Sequence, residues 1–289
     1  LLGPVTLVLA AVQINLLVNS ILATVEGTGA VSWLSYAFRL MYLPIGLFGV
    51  SIATAALPQF SRMAALENPT DLRKTISSSL RLMMMLNVPA AVGLMVLATP
   101  IIAVIFERGS FTSADTAATA AALQCYAPGL IGYSTVKITA PIFYAMRDSR
   151  TPAVISGIAV ALNLVLNLTL VRIMGYQGLA LGTAIAAILN ALILMILLHR
   201  RLDGIDGARL GITFIKIVVA SIIMGAAAVV TERYLADIWP SALLSVQILR
   251  LSITIAVSVL VLGGAAQALR MDEFNDARRR LFAKLTGTA

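Results

Sequence analysis

The chain has 289 residues, of which 60% are hydrophobic and only 12% are charged, and its mean hydropathy is +0.95. Soluble domains carry about 25% charged residues, so this composition excludes a soluble domain and indicates a membrane protein with several spans. The net charge is +8, but the basic residues lie mostly between apolar segments, which favours membrane topology over nucleic-acid binding. One cysteine and one histidine exclude an internal disulfide and a multi-histidine metal site.

Apolar segments of about 20 residues, the length of a bilayer-spanning helix, recur along the whole chain. They are too long and too continuous for the strands of a membrane β-barrel, so the predicted fold is all-α, a polytopic transmembrane helix bundle of about eight spans. The predicted spans are 3–25, 31–60, 80–106, 117–145, 152–173, 177–198, 212–235 and 243–269. We divide the chain into a six-helix core (1–200), two additional helices (201–270) and a basic amphipathic cytoplasmic tail (271–289).

The lysines and arginines are distributed unequally between the two sides of this bundle. If the first helix runs outward, only Arg108, Arg172 and Arg233 lie in outside regions. Because basic loops stay in the cytoplasm, this asymmetry predicts a multi-pass membrane protein with a cytoplasmic C-terminus. Arg39, Lys137 and Arg250 remain within the spans, and we expect Arg250 to extend outward from the last helix to water.

Arg39 lies in the second span, and no acidic residue occurs between Glu26 and Glu67. A charge in the bilayer interior costs at least ~2.5–3.5 kcal/mol, so it normally faces a wet cavity or a partner. Ser35, Tyr42, Gly46 and Gly49 are predicted to share its helix face. The guanidinium binds phosphate in a bidentate manner, so we predict an anion-binding cavity. The alternative is that Arg39 extends outward to the interface, since it lies only about 12 Å into the helix.

Lys137 is the second cation within a predicted span, and Tyr126, Tyr133 and Tyr144 share its helical repeat. This arrangement predicts contacts with phosphate or with sugar hydroxyl groups. A hydrogen bond to a neighbouring helix, or extension to the cytoplasmic interface, is the alternative interpretation.

Asn163 and Asn167 lie one turn apart in the fifth span, and Thr183 lies in the sixth. Their oxygens are hard ligands, so we predict a site for a monovalent cation such as Na⁺. Amide side chains also join membrane helices by hydrogen bonds, and the absence of a carboxylate in these spans favours that alternative. The sequence contains no P-loop and no catalytic motif. An ion gradient, the membrane potential or a downhill substrate would therefore drive any transport.

Several stretches resemble the MurJ/MviN family of lipid II flippases, and the resemblance covers essentially the whole chain. They are residues 32–61, residues 106–112 (Phe-Glu-Arg-Gly-Ser-Phe-Thr) and residues 143–152 (Phe-Tyr-Ala-Met-Arg-Asp-Ser-Arg-Thr-Pro). Residues 175–184, followed by Asn190, are similar to the wider multidrug/oligosaccharidyl-lipid/polysaccharide exporter superfamily.

This resemblance implies the C-terminal eight of fourteen helices, one lobe of a two-lobe alternating-access transporter. The N-terminal six-helix lobe would lie outside this chain, which starts at Leu1 without an initiator methionine. Arg39 matches the family's cavity arginine, and Lys137 matches a lysine commonly found at that position. Phe38 and Tyr42 stand where some members have acidic residues. The last two helices would flank a groove for a long lipid tail.

The resemblance therefore implies a flippase that moves lipid II, the undecaprenyl-pyrophosphate-linked precursor of peptidoglycan, from the inner to the outer leaflet. The other partners implied are membrane lipids and the missing lobe. Export of another polyprenyl-linked glycan or of drugs is one alternative, and a membrane scaffold that does not transport is another. An enzyme acting on undecaprenyl substrates is disfavoured, because the spans lack the acids and histidines that catalysis needs.

Overall fold

The computed structural model describes residues 13, 15, 17–65, 69–241, 243–271 and 274. Most of the first predicted span and of the predicted C-terminal tail therefore lie outside the described residues. A helical segment over 17–25, α1, comes first. The helices that follow are α2 (Ala30–Pro44), a π-helical turn (Ile45–Val50), α3 (Ser51–Ala65), α4 (Pro69–Val96), α5 (Ala98–Phe106), α6 (Ser113–Tyr126), α7 (Gly129–Ala145), α8 (Arg150–Met174), α9 (Tyr176–Arg201), α10 (Gly207–Ile238) and α11 (Leu244–Ala268).

The predicted all-α class is confirmed, since the described residues contain helices and no strand. Six described stretches are long and apolar enough to cross a membrane: Ala30–Met63, Thr70–Val96, Arg150–Met174, Tyr176–Arg201, Gly207–Ile238 and Leu244–Ala268. Each of the six overlaps a predicted span. The protein is therefore a multi-pass α-helical membrane protein.

Two predicted spans differ from the observed helices. The stretch 117–145 is built from α6 and α7, which meet at Ala127 and Pro128, where proline has no N–H to donate. The stretch 80–106 begins earlier than predicted, at Pro69, and is interrupted at Leu97, whose backbone leaves the helical region (φ −103°, ψ 16°). Neither break is visible in the hydropathy of the sequence, because hydropathy does not report whether the backbone of a helix is continuous.

Helix α9 is central to the bundle, packing against α6, α7 and α8. Its close approach to α7 depends on two glycines of that helix. A Cβ atom on Gly129 would lie 2.8 Å from Cα of Ala184, and one on Gly132 would lie 2.5 Å from the backbone carbon of Ala187. Small residues that let backbones meet are a main source of helix association in membranes, so this contact fixes α7 against α9.

The two ends of the bundle carry different polar contacts. At the Trp33 end, the Trp33 indole donates to Asp115 at the start of α6 over 2.8 Å. At the Arg201 end, Arg201 is paired with Asp148 in the α7–α8 connection. Burial raises the pKa of the Asp148 carboxyl, but hydrogen bonds from Thr151 and the contact with Arg201 outweigh it and lower the pKa to about 2.

The additional helices predicted over 201–270 correspond to α10 and α11, and α10 packs along α4. Arg250 on α11 does not extend freely to water as predicted, because it donates to Glu232 on α10 over 2.7 Å. The buried hydroxyl of Thr254 donates to the other carboxylate oxygen over 3.0 Å. The two charges are 18 residues apart in the sequence, so their pairing is seen only once α10 and α11 pack against each other. The division of the chain at residues 200 and 270 stays a prediction.

Candidate functional site

The site is built on the long stretch Ala30–Met63, which contains α2, the π-helical turn and α3. Pro44 ends the α-helical geometry because it lacks an N–H, and the wider π turn follows directly. Gly46 in this turn is open, since a Cβ atom would meet nothing within 4 Å. The turn therefore leaves a notch in the exposed surface of the span.

Arg39 lies next to this notch, on the side that is nearer to Trp33. An open recess of about 520 Å³ is lined by Phe38, Arg39, Tyr42, Leu43, Gly46 and Leu47. The Arg39 side chain is exposed, and among the described residues no hydrogen bond or ion pair reaches it. It lies nine residues, or about 14 Å, from the start of α2. The predicted helix face is correct for Ser35, Tyr42 and Gly46, which are all exposed as Arg39 is.

Gly49 does not share this face, contrary to the prediction. It is buried, and a Cβ atom there would lie 3.2 Å from Oγ of Ser134 on α7. The periodicity used for the prediction assumes 3.6 residues per turn, whereas the π turn has i→i+5 geometry and changes the phase of the residues that follow it. Gly49 therefore lets the backbone approach α7, and it does not line the recess.

An aromatic cluster fixes α2 beside α6 and α7. The Phe38 ring lies 5.6 Å from that of Tyr42, 5.5 Å from Tyr126 and 6.3 Å from Tyr133. The rings of Tyr42 and Tyr133 lie 6.5 Å apart. Such tilted and edge-on contacts are favourable for aromatic pairs. The sequence pattern marks Phe38 only as a departure from the family and gives no sign of its position at the centre of this cluster.

Lys137 lies one turn beyond Tyr133 on α7 and is exposed. Through the Tyr42–Tyr133 contact, the predicted stripes of α2 and α7 stand side by side. Counted along the helices, Arg39 and Lys137 are about 10 Å apart in depth. Tyr126 is buried, while Tyr144 is exposed nearer the Arg201 end. These residues form one track along α2 and α7, in which Arg39, Tyr42 and Lys137 are exposed and Tyr133 is half-buried.

The Trp33 end of α2 is held by two contacts that the sequence does not predict. Besides its hydrogen bond to Asp115, Trp33 packs on Tyr176 with ring centroids 5.3 Å apart. Asp115 also closes a capping box with Thr112 at the start of α6. The Thr112-x-x-Asp115 spacing is a local signal for this cap, but its link to Trp33 is visible only in the fold.

The three predicted cation ligands lie together. The Asn163 amide donates to Thr183 over 3.3 Å, and Asn163 and Asn167 exchange hydrogen bonds over 3.3 and 3.4 Å. Asn167 also donates to Asn19 on α1. Gly182 leaves the room for this cluster, since a Cβ atom there would lie 2.2 Å from Oδ1 of Asn167. Every contact in the set is neutral, and within the described part of the chain no cluster of acidic, histidine or cysteine ligands occurs.

Comparison with solved structures supports the class of protein that the fold defines. A structure described as "Lipid II flippase MurJ, inward closed conformation" superposes with a TM-score of 0.72 at 27% identity, covering 91% of this chain and 53% of that chain. An outward-facing multidrug resistance MATE transporter gives 0.58 at 13% identity, covering 95% of this chain and 65% of that one, which shows the fold alone. The fold is thus that of multi-pass α-helical transporters.

Sequence comparison gives the particular family. The family model for "Lipid II flippase MurJ" matches residues 1–250, and the chain belongs to this family. A probable lipid II flippase MurJ of Vibrio cholerae is 40% identical over 190 residues, which are 66% of this chain and 35% of that protein. One of Rickettsia prowazekii is 30% identical over 278 residues, which are 96% of this chain and 54% of that protein. The chain therefore spans between about a third and about half the length of these curated relatives.

Proposed function

We propose that this chain forms the C-terminal half of a flippase that carries lipid II from the inner to the outer leaflet of the bacterial inner membrane, with its C-terminus in the cytoplasm. The observation that carries the proposal is Arg39, an exposed cation without a described partner, placed above an apolar recess within a membrane span. A charge in that position is costly unless it meets an anion or water. The pyrophosphate of lipid II is such an anion.

The rest of the track suits the same substrate. Lys137 is a second cation, about 10 Å further along the track in depth, and each of the two side chains is long enough to shorten that gap. Tyr42, which is exposed, and Tyr133, which is half-buried, lie between the cations, and their rings and hydroxyl groups are of the kind that bind sugar or phosphate. Ser35 adds a hydroxyl on the other side of Arg39. The proposed role of these residues is binding and orientation, so the protein acts as a transporter and not as an enzyme.

The proposed cycle requires release as well as binding. One exposed face supplies only one wall of a closed cavity, and we propose that the six-helix N-terminal lobe supplies the other. Movement of the two lobes would alter how many hydrogen-bond donors reach the pyrophosphate. The affinity of the protein for the pyrophosphate would then differ between its two conformations. The 289-residue chain by itself is then expected not to transport.

The test is complementation in cells depleted of their own lipid II flippase, using the full-length protein. Arg39→Ala is expected to abolish growth, and Arg39→Lys to restore it partly, because lysine keeps the charge but loses the bidentate fork. Arg172→Ala, which removes an exposed arginine at the end of α8, is the matched control and should complement. Full complementation by Arg39→Ala at normal protein levels would refute the proposal.

The predicted Na⁺ site at Asn163, Asn167 and Thr183 stays a prediction. Four neutral oxygens, counting that of Asn19, suit a weakly bound monovalent cation better than a divalent one. The described hydrogen bonds are also sufficient to join α1, α8 and α9 without an ion. The unfolding temperature, measured in a Na⁺ salt and in an N-methylglucamine salt, distinguishes a cation site from a purely structural cluster. A cation site requires stabilisation by Na⁺ that Thr183→Val removes, whereas a purely structural cluster gives no difference between the salts.

A further inference from the structure

Two polar side chains in the middle of the core carry atoms without a hydrogen-bond partner. Asn87 on α4 and Ser134 on α7 are both fully buried. The Asn87 amide donates to the carbonyl of Met83, one turn earlier in the same helix, over 3.0 Å. Among the described residues, nothing pairs with Oδ1 of Asn87 or with the Ser134 hydroxyl. An unpaired buried polar atom destabilises a protein by its full desolvation cost, so each of these two atoms needs a partner.

The Ser134 hydroxyl faces the π turn and not its own helix. Hydroxyl groups in helices commonly bond to the carbonyl four residues earlier, and two neighbours on α7 do so. Thr135 donates to Ile131 over 2.8 Å, and Thr139 donates to Thr135 over 2.9 Å. Ser134 makes no such bond within the described structure. Its Oγ lies 3.2 Å from the place that a Cβ atom on Gly49 would occupy, so the hydroxyl is directed at the buried side of the π turn.

Asn87 faces the same region from α4. The contact of α4 with α10 is on the other side of α4, where a Cβ atom on Gly225 would meet Val92 and Val96. By helical periodicity Asn87 projects from the opposite face, as does the fully buried Met83 one turn away. Helix α4 packs against both α7 and the π turn on that face. The two unpaired atoms are therefore directed into the same part of the core.

Asn87, Ser134 and Gly49 also lie at one level of the bundle, because all three mark the boundary between two apolar clusters. On each element, the buried neighbour on one side belongs to one cluster and the buried neighbour on the other side belongs to the second. These neighbours are Met84 and Ala91 for Asn87, Ile138 and Leu130 for Ser134, and Ala53 and Ile45 for Gly49. A thin polar layer thus interrupts the apolar core behind the π turn.

We propose that one water molecule is bound in this layer, between Asn87, Ser134 and the π turn. It donates to Oδ1 of Asn87 and pairs with the Ser134 hydroxyl, and backbone groups of the π turn complete its contacts. Buried waters typically make about three hydrogen bonds to polar groups that would otherwise be unpaired. Gly49 keeps a side chain out of the space beside Ser134.

The chemistry of the layer selects water over an ion. The Oδ1 atom of Asn87 only accepts hydrogen bonds, so its partner must be a donor, which excludes a simple anion. A metal ion would have two neutral side-chain oxygens here and no carboxylate, in a core where a charge is costly. Water is neutral and both donates and accepts. The bound water joins α4 to α7 behind the π turn, and it thereby holds the turn in the wide shape that opens the notch at Gly46.

Hydroxyl-radical footprinting of the wild-type, full-length protein in lipid nanodiscs tests for the water. Ionising radiation forms hydroxyl radicals from water wherever it is bound, so a fully buried side chain is oxidised when water lies beside it. Met83 and Met41 are both fully buried. Met83 lies one turn from Asn87, whereas Met41 lies about 12 Å from Gly49 along the span. We expect Met83 to be oxidised several-fold faster than Met41.

A double-mutant cycle tests whether the two side chains share a partner. Asn87→Leu and Ser134→Ala each leave the other polar group unpaired, so each should lower the folding equilibrium constant by about tenfold. The double variant removes both groups and should be less destabilised than either single variant. Its Met83 should be oxidised as slowly as Met41. Thr135→Val is the control, because the Thr135 hydroxyl bonds within its own helix, and its effect should multiply with that of Asn87→Leu.

Two results would overturn the inference. Equal oxidation of Met83 and Met41 in the wild type, which needs no variant, would show that water does not lie beside Asn87; if the cycle still showed coupling, Ser134 would donate directly to Asn87. Independent effects of Asn87→Leu and Ser134→Ala would show that they share no partner. Neither measurement involves transport, so the flippase proposal stands or falls separately.

Discussion

The pair formed by Glu232 and Arg250 gives the sharpest prediction about stability. Both side chains are largely buried, with 18% and 15% of their surface exposed, and each lies six residues, or about 9 Å, from the nearer end of its helix. Taking either charge out of water costs several kcal/mol, and removal of one partner from a buried pair typically costs 3–5 kcal/mol, because the other charge is left uncompensated. We therefore expect two costly single substitutions and a nearly neutral double one.

The two single substitutions should differ. Arg250→Met leaves the short Glu232 side chain with only Thr254 as a donor, and we expect it to lower the free energy of unfolding by about 3 kcal/mol. Glu232→Met leaves a long arginine that can extend toward the interface, so about 2 kcal/mol is expected. The double variant should lie within about 1 kcal/mol of the wild type, which gives a coupling energy of at least about 4 kcal/mol in the double-mutant cycle.

The assay is equilibrium unfolding of the full-length protein in mixed micelles. Arg233→Met is the matched control, since Arg233 is the neighbour of Glu232 and is exposed, and its effect should stay within about 0.5 kcal/mol. A coupling energy below about 1 kcal/mol would show that the two charges do not depend on each other. The reasoning from burial to stability would then be wrong.

Three further predictions concern packing, a cap and pH. Gly132→Ala should destabilise the protein by more than about 2 kcal/mol, because the new methyl group meets α9 backbone, while Gly157→Ala, in open space on α8, should be neutral or slightly stabilising in the same unfolding assay. Trp33→Phe keeps an aromatic ring, although a smaller one, and loses the hydrogen bond to Asp115, so it should cost at least about 1 kcal/mol; an unchanged midpoint would contradict this. Asp148→Asn should cost about 1 kcal/mol at pH 7, a value reduced for solvent screening. Because folding lowers the pKa of Asp148 to about 2, the wild type loses this advantage as the pH falls from about 4 to about 2, and a difference that persists at pH 2 would refute the assignment.

The parts of the fold that depend on the length of the apolar segments could be predicted from the sequence. The six long spans follow from hydropathy, since a bilayer requires continuous apolar helices. The exposed face of Ser35, Arg39 and Tyr42 follows from helical periodicity, because α2 is regular up to Pro44. Asn163, Asn167 and Thr183 lie together in the structure, and the cation site predicted at them stays a prediction.

The errors have two physical causes. Gly49 was placed on the wrong face because a π turn does not follow the 3.6-residue repeat, and the breaks at Leu97 and Pro128 leave hydropathy unchanged. Arg250 was misassigned because its partner is 18 residues away in the chain. Contacts between helices depend on rotation and register, which one sequence does not specify.

The π turn has a consequence for how this span tolerates insertions and deletions. A π-helical turn is one residue richer than the α-helical turn it replaces, so Ile45–Val50 carries one extra residue inside a membrane span. Because the wider turn absorbs that extra residue, deleting one residue there would restore a regular helix and leave the later residues on nearly the same faces. Phe60, which is fully buried, would then stay in the core, whereas a one-residue deletion in α3 before it would rotate it by about 100° relative to Arg39. The π turn is therefore the place in this span where a one-residue gap is best tolerated, and the same gap in the regular helix beside it would be as damaging as a core substitution.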